Sequence, residues 1–383
     1  MFIFPYFSNL RFSGFNDEWY EFKLNDISER ITRKNKKLET DRPLTISAQY
    51  GLVDQIEYFD KIVASDSLIN YYLLYNGEFA YNKSYSNGYP FGAVKRLDDY
   101  EHGAISTLYI CFKVNDKMNS DLLNEYFETD KWYKEIYKIA VEGARNHGLL
   151  NIAVGDFFNT KHILPTNPKE QEKLAKFFIE INRKIGLLEK KHQAFLDFKK
   201  YLMQQIFTQK LRFDFNEKWK VYKLKDLLSV KSSNISINKV DNNTGEYPLY
   251  GTGGYLQNID FYEMEDEYIS ITKDGSVGKI DYHEGKSSII NTSQYLIPNK
   301  NFNIRFLYYQ LQTLNFEKYI VGSSIPHIYF KDYGNEKVKI PNLLEQEIIA
   351  KLFIVIDKKL YMLDKSISLM YRFKKGLLQQ MFI

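Results

Sequence analysis

One cysteine, three tryptophans and nine prolines in 383 residues are the first features to weigh, because each scarcity excludes something. The lone Cys111 leaves no intramolecular disulfide and no cysteine-based zinc site. Its neighbours Leu108, Tyr109, Ile110 and Phe112 mark it as a buried strand thiol. No two prolines are adjacent, so the Asn/Asp-Pro-Pro-aromatic loop that would hold a flipped adenine for methylation is missing. The six histidines (102, 147, 162, 192, 283 and 327) show neither H-x-x-x-H nor H-E-x-x-H spacing, and no metal site is expected. Gly251, Gly253 and Gly254 lack the strand–helix context and the G-K-[ST] ending of a nucleotide loop, and read as a turn. No nuclease-type acidic cluster ending in a lysine pair is present. No apolar run approaches the ~18 residues of a membrane span. The opening MFIFPYF is apolar but has no basic flank or small-residue cleavage site, so a signal peptide is not expected. The expectation is a soluble, cytoplasmic, non-catalytic chain with no membrane partner. A net charge of +4 does not by itself announce a nucleic-acid binder, although its cations can still gather on one face.

What the chain has in plenty is Tyr (31) and Phe (28). A large aromatic core is the plainer explanation, and stacking on nucleic acid the more specific one. It also repeats itself. Leu10-Arg11-Phe12, Phe15-Asn16, Trp19, Lys23-Leu24 and Asp26 return as Leu211-Arg212-Phe213, Phe215-Asn216, Trp219, Lys223-Leu224 and Asp226. Glu170-Gln171-Glu172 returns as Glu345-Gln346-Glu347, Phe198-Lys199-Lys200 as Phe373-Lys374-Lys375, and Gln204-Gln205 as Gln379-Gln380. The chain is therefore a tandem of two units, each a globular module followed by a long helix.

The period identifies the helices. Leu174, Phe178, Ile181, Ile185, Leu188, His192 and Phe195 alternate steps of four and three, as do Ile349, Phe353, Ile356, Leu360, Leu363, Ile367 and Met370. That is the stripe of a coiled-coil seam. An extra step of three to Phe198 and Phe373 reads as a stammer. Asn167 with Glu170, and Asn342 with Glu345, have capping-box spacing, and Pro168 suits a first helical position. His192 stands where its twin has Ile367, and is read as a core-edge histidine with a local partner. Helices of about 38 residues reach roughly 57 Å, far more than a module with a radius of gyration of about 14 Å can bridge. The helices should therefore run antiparallel, as a spacer between two modules related by a pseudo-two-fold axis.

Both modules combine strand-like runs (Tyr71–Tyr75, Ile105–Phe112, Tyr268–Thr272, Ser288–Ile290) with turn signals at Asn76-Gly77, Asn87-Gly88 and Lys273-Asp274-Gly275. Helical stretches are expected over about 121–140 and 304–312, so the class is α+β. The Leu-Arg-Phe…Trp openings occur together with Pro-Leu-Tyr-Gly-Thr-Gly-Gly at 248–254 and Ile-Thr-Lys-Asp-Gly-Ser-Val-Gly at 271–278. Gly77-Glu78-Phe79-Ala80-Tyr81-Asn82 and the Glu-Gln-Glu helix starts complete the set. With these motifs the whole chain resembles the specificity subunits of type I restriction-modification systems. The resemblance implies a first target recognition domain at 1–165, a spacer helix at 166–208, a second target recognition domain at 209–340 and a second spacer helix at 341–383. It further implies that each domain reads half of a split target in double-stranded DNA, and that the helices set the gap. The implied partners are two methyltransferase (modification) subunits and restriction/translocase subunits. S-adenosylmethionine, ATP and Mg would belong to those partners, with no cofactor bound by this chain. A coiled-coil scaffold whose modules bind protein is the alternative.

Phosphate and base-edge contacts call for basic, amide and hydroxyl side chains in loops. The candidates are Lys83, Lys95, Arg96, Arg145, Asn146 and His147 in the first module. In the second they are Lys231, Thr252, Tyr255, Lys273, Ser276, Lys279 and His327. A solvated loop residue is the default for any one of them. The run Lys34, Lys36 and Lys37 fits solvation and phosphate contact equally well.

Overall fold

The computed structural model describes residues 8–59, 67–140, 150–240 and 245–383. Its contacts divide the chain into two compact units, Met1–Leu188 with Ser366–Ile383, and Glu189–Lys365. Two long helices run through the division, α6 (Pro168–Phe207) and α10 (Leu343–Met381), so each unit holds a stretch of both.

In the first unit the strands are β1 (Tyr20–Lys23), β2 (Ser28–Ile31), β3 (Pro43–Ser47), β4 (Gly51–Asp54), β5 (Tyr72–Tyr75), β6 (Phe79–Asn82), β7 (Ala93–Arg96), β8 (His102–Ile105), β9 (Ile110–Val114) and β10 (Lys161–Leu164). Its short helices are α1 (Leu24–Ile27), α2 (Gln55–Phe59), α3 (Ser120–Phe127), α4 (Tyr133–Ile139) and α5 (Val154–Phe158). One antiparallel sheet has the order β2-β9-β6-β7 and a second the order β4-β3-β8-β5, with β3 and β8 parallel. Successive residues of a strand face opposite ways, and here both faces of the first sheet are covered. Phe79, Tyr81 and Phe112 pack on Phe127, Trp132, Phe157 and the long-helix residues Leu174 and Phe178. Ala80, Ala93 and Cys111 meet Leu44, Ile46, Leu74 and Ile105 of the second sheet. The layers run helices, sheet, sheet. Burial pushes the Cys111 thiol up to about 12, so it is an inert core group.

The second unit repeats this plan. It contains β11 (Lys220–Lys223), β12 (Leu228–Ser232), β13 (Tyr247–Gly251), β14 (Gly254–Ile259), β15 (Tyr268–Thr272), β16 (Ile280–His283), β17 (Ser288–Ile289), β18 (Ser293–Pro298) and β19 (Lys337–Ile340). With them are α7 (Leu224–Leu227), α8 (Ile304–Gln312) and α9 (Phe330–Tyr333). The sheet β12-β18-β15-β16 matches β2-β9-β6-β7 pair for pair, and β14-β13-β17 matches β4-β3-β8, including the parallel pair. The first unit differs by having β5, α2 and α4, the last replaced in the second unit by a single 3-10 turn at Glu317–Tyr319. The internal repeat therefore extends through segments whose sequences show no visible kinship.

Part of the aromatic excess is core: Phe79 stacks on Phe112 at 5.1 Å and Tyr81 on Phe157 at 4.6 Å. Two expected elements are interrupted. The helix expected at 121–140 breaks between α3 and α4, where the Thr129 hydroxyl donates to the Tyr126 carbonyl and the Trp132 indole to the Phe127 carbonyl. The run 105–112 is two strands, parted by a turn that leaves Leu108 73% exposed.

Along the helices, Leu174, Phe178, Ile181, Ile185, Ile349, Phe353, Ile356, Leu360 and Leu363 are buried, and Leu188 is half-buried. Packing is antiparallel within each unit. Phe178, early in α6, stacks on Phe382 beyond the end of α10, and Phe207, at the end of α6, stacks on Phe353 early in α10. The stammer is corrected: Phe198 and Phe373 are 48% and 54% exposed, so the seam does not step to them. It passes instead through Lys199 and Lys374, two cations in apolar register, and resumes at Leu202 and Leu378. His192 finds the local partner expected of it, Asp364 at 3.1 Å.

Candidate nucleic-acid interface

Each module is fastened to its helix by the same three side chains. Arg11 makes a two-pronged contact with Glu170 (2.6 and 2.7 Å), and the Trp19 indole donates to the same carboxylate at 3.4 Å. In the second unit Arg212 grips Glu345 at 2.9 and 2.8 Å, with Trp219 at 3.0 Å. Both carboxylates are essentially inaccessible, and a planar guanidinium satisfies both oxygens at once. This revises the capping box. Asn167 and Asn342 do accept backbone N–H groups at the helix starts, but the two glutamates serve Arg and Trp. Gln171 and Gln346 extend the fastening, accepting from the backbone of Asn119 and Asn303, the caps of α3 and α8. Both halves of this lock stood in the repeated motifs; their meeting did not.

A second pair of clamps holds α3 and α8. Lys374 pairs with Glu125 at 2.8 Å, and Asn182 donates to that carboxylate at 2.6 Å. Lys199 pairs with Asp357 at 2.6 Å, and the Tyr309 hydroxyl donates to it at 2.7 Å.

With the modules so fixed, three loops of the second unit meet at one end of its sheets. The β13–β14 hairpin turns at Thr252-Gly253, and the Thr252 carbonyl accepts from Lys279 Nζ at 2.8 Å, tying the hairpin to the β15–β16 loop. That loop is tied in turn to residues 321–328. His327 lies 2.6 Å from Asp274, Gly275 donates to the Pro326 carbonyl, and Ile328 to the Lys273 carbonyl. The candidates Thr252, Tyr255, Lys273, Ser276, Lys279 and His327 thus form one cluster. Tyr255 is 61% exposed, and Gly275 adopts φ +81°, a conformation that suits glycine in this turn. Lys231 stands apart, donating to the Glu263 carbonyl at 2.9 Å.

In the first unit Lys83 follows β6, at the corresponding end. Lys95 and Arg96 do not join it. Lys95 is 7% exposed and paired with Glu128 at 2.6 Å, and Arg96 is held by Asp98 and Asp121. As neighbours on β7 they face opposite ways, yet each is committed to a partner at one end of α3: Lys95 to Glu128 just after it, and Arg96 to Asp121 in its first turn. Arg145, Asn146 and His147 lie outside the described residues. Sequence reasoning overlooked the β3–β4 hairpin, with exposed Gln49 and Tyr50 at its tip. The long helices also expose apolar side chains, among them Val355 and Tyr361, each 67% exposed. Among the described residues there is no cluster of His, Cys, Asp and Glu that could hold a metal ion, and no helix long and apolar enough to cross a membrane.

Residues 216–368 match the family model described as type I restriction modification DNA specificity domain. The chain is 24% identical over 182 residues to the type I restriction enzyme MjaVIII specificity subunit of Methanocaldococcus jannaschii, covering 43% of this chain and 42% of that protein. It is 30% identical over 138 residues to a putative type I specificity subunit of Mycoplasma pneumoniae, covering 34% of this chain and 38% of the relative. The chain thus spans about two fifths of the length of these curated relatives. The crystal structure of a type I restriction-modification S subunit from M. genitalium superposes with a TM-score of 0.64 at 17% identity, covering 98% of this chain and 99% of that one. The likeness in fold therefore extends through both modules and both helices.

Proposed function

We propose that the chain is a member of the type I restriction-modification DNA specificity family, that it reads a split sequence in double-stranded DNA, one half with each module, and that it carries no catalysis itself. The observation that carries this reading is the duplication. Two modules share one strand plan and one mode of attachment, yet present different loops at the same end. A pair of readers with unlike half-sites requires that combination. Lys83 in one module and Lys273, Ser276 and Lys279 in the other are suited to phosphate contacts.

The helix pair then sets the gap between half-sites, and its apolar outer positions are surfaces for two methyltransferase subunits. Val355, Tyr361 and Met362 on α10, and Leu196 and Tyr201 on α6, are all at least 40% exposed. A groove of about 590 Å³ between α6 and α8, lined by Leu196, Met203 and Phe207, adds to that face. S-adenosylmethionine, ATP and Mg belong in this reading to the methyltransferase and restriction partners.

The chain co-purified with its methyltransferase should bind one split duplex in preference to scrambled competitors. Its affinity should fall about a thousandfold or more between ~50 and ~200 mM salt. Absent or sequence-indifferent binding would leave the protein-binding scaffold as the better reading.

A further inference from the structure

We propose that the hairpins β3–β4 and β13–β14 are the elements that enter the DNA major groove, with Gln49 and Tyr50 reading one half-site and Tyr255 the other. The inference rests on the DNA-reading function proposed above and assigns that function to particular side chains.

The two hairpins occupy the same place in the strand plan. Each is the edge of the outer sheet, and its inner strand pairs in parallel with β8 or β17. Each tip also shares its surroundings with the same neighbouring loop. In the second unit Lys279 reaches the Thr252 carbonyl at 2.8 Å. In the first, Ala48 of the tip and Tyr89 of the β6–β7 loop pack against one cluster.

The scaffold is shared while the tips differ. The first is a three-residue turn, Ala48-Gln49-Tyr50, with Gln49 exposed and Tyr50 68% exposed. The second is the two-residue turn Thr252-Gly253, followed by Tyr255 at 61% and Leu256 at 41%. Gly254 has φ +110°, a backbone conformation that favours glycine, so this narrow tip depends on it.

A two-stranded ribbon fits the major groove, where a glutamine amide can pair with adenine N6 and N7, and an apolar side chain can meet a thymine methyl. Gln49 supplies the amide, Leu256 the apolar contact, and both tyrosines a hydroxyl on a rigid ring. Lysines in the adjacent loops, Lys83 and Lys279, are placed to hold the flanking backbone.

The test selects bound sequences from a randomised duplex library with the full chain bound to its methyltransferase subunit. Gln49→Ala, Tyr50→Ala, Tyr255→Ala and the milder Tyr255→Phe are each compared with the unsubstituted chain. All alter exposed side chains, and unchanged melting confirms the fold. Gln49→Ala and Tyr50→Ala should lower discrimination about tenfold or more at base pairs of one half-site and leave the other intact. Tyr255→Ala should do the converse, with Tyr255→Phe intermediate. Selection of the original sequence at every position by all four variants would overturn the assignment, as would equal decay of both halves. An unsubstituted complex that enriches no split sequence would instead remove the DNA-reading function itself, and the hairpin assignment with it.

Discussion

Replacing Glu170 with glutamine takes one negative charge from a site that is 1% exposed and leaves the Arg11 guanidinium, whose side chain is 12% exposed, facing an amide. The carboxylate accepts two hydrogen bonds from Arg11 and one from Trp19. An amide offers one acceptor oxygen, and its NH2 would confront a guanidinium N–H. Removing one partner of a buried pair costs about 3–5 kcal/mol when the remaining charge is fully enclosed. Some solvent reaches Arg11, so about 2–4 kcal/mol is expected for Glu170→Gln. Urea unfolding of the full chain should show the loss, and hydrogen exchange should place it in the first turns of α6. Glu172→Gln, two residues along, breaks an exposed pair with Lys176 and should leave the midpoint where it is. Changing both Arg11 and Glu170 to apolar residues should recover part of the loss, because no buried charge is then left alone. If Glu170→Gln lowers stability no more than Glu172→Gln does, the lock is an ordinary surface ion pair and the reasoning fails.

Acid should weaken both modules. Burial holds His162 and His283 down at about 4, each beside a hydroxyl at 2.8 Å. An unfolded histidine titrates near 6.5, so between about pH 6.5 and 4 the unfolded chain binds more protons. Stability is therefore fully present above that window and falls as pH drops through it, by about 2–3 kcal/mol per histidine; urea midpoints that do not change between pH 7 and 5 would contradict this. Lys279→Ala should weaken duplex binding and reduce its salt slope by about one. Lys95→Ala should leave binding unchanged because that side chain is only 8% exposed and held by Glu128, whereas Lys279, although 3.4 Å from Asp281, is 43% exposed; a reversed ranking by fluorescence anisotropy would show that the loop end has been misidentified.

The long helices and most of their seam were legible because a 3.5-residue pattern over some ten turns has one structural solution. Their attachment was legible only in parts. The Leu-Arg-Phe…Trp and Glu-Gln-Glu motifs each repeat, but nothing local says that Arg11 reaches across 159 residues to Glu170. Lys199 and Lys374 were passed over because apolar periodicity treats lysine as a break, although here it sits in the seam with its charge answered. Lys95 failed as a loop candidate for the opposite reason, since its partner Glu128 lies 33 residues away. Gln49 was invisible because recognising it needs the alignment of β3–β4 with β13–β14, which only strand pairing reveals.

The two lysine clamps also bear on inheritance. In the first unit the acid is Glu125 on α3, and the neighbouring long-helix residue is the neutral Asn182. In the second the acid is Asp357 on the long helix, and the module supplies the neutral Tyr309. Each module is thus matched to the helix that follows it, while the lysine comes from the other helix. A genetic crossover between a module and its own helix would set Tyr309 beside Asn182 and leave a half-buried lysine with no acid. The reciprocal product would crowd Glu125 and Asp357 around one lysine. Shuffled descendants of such a gene should therefore trade a module and its trailing helix as a single cassette, with viable breakpoints near the Leu-Arg-Phe segments.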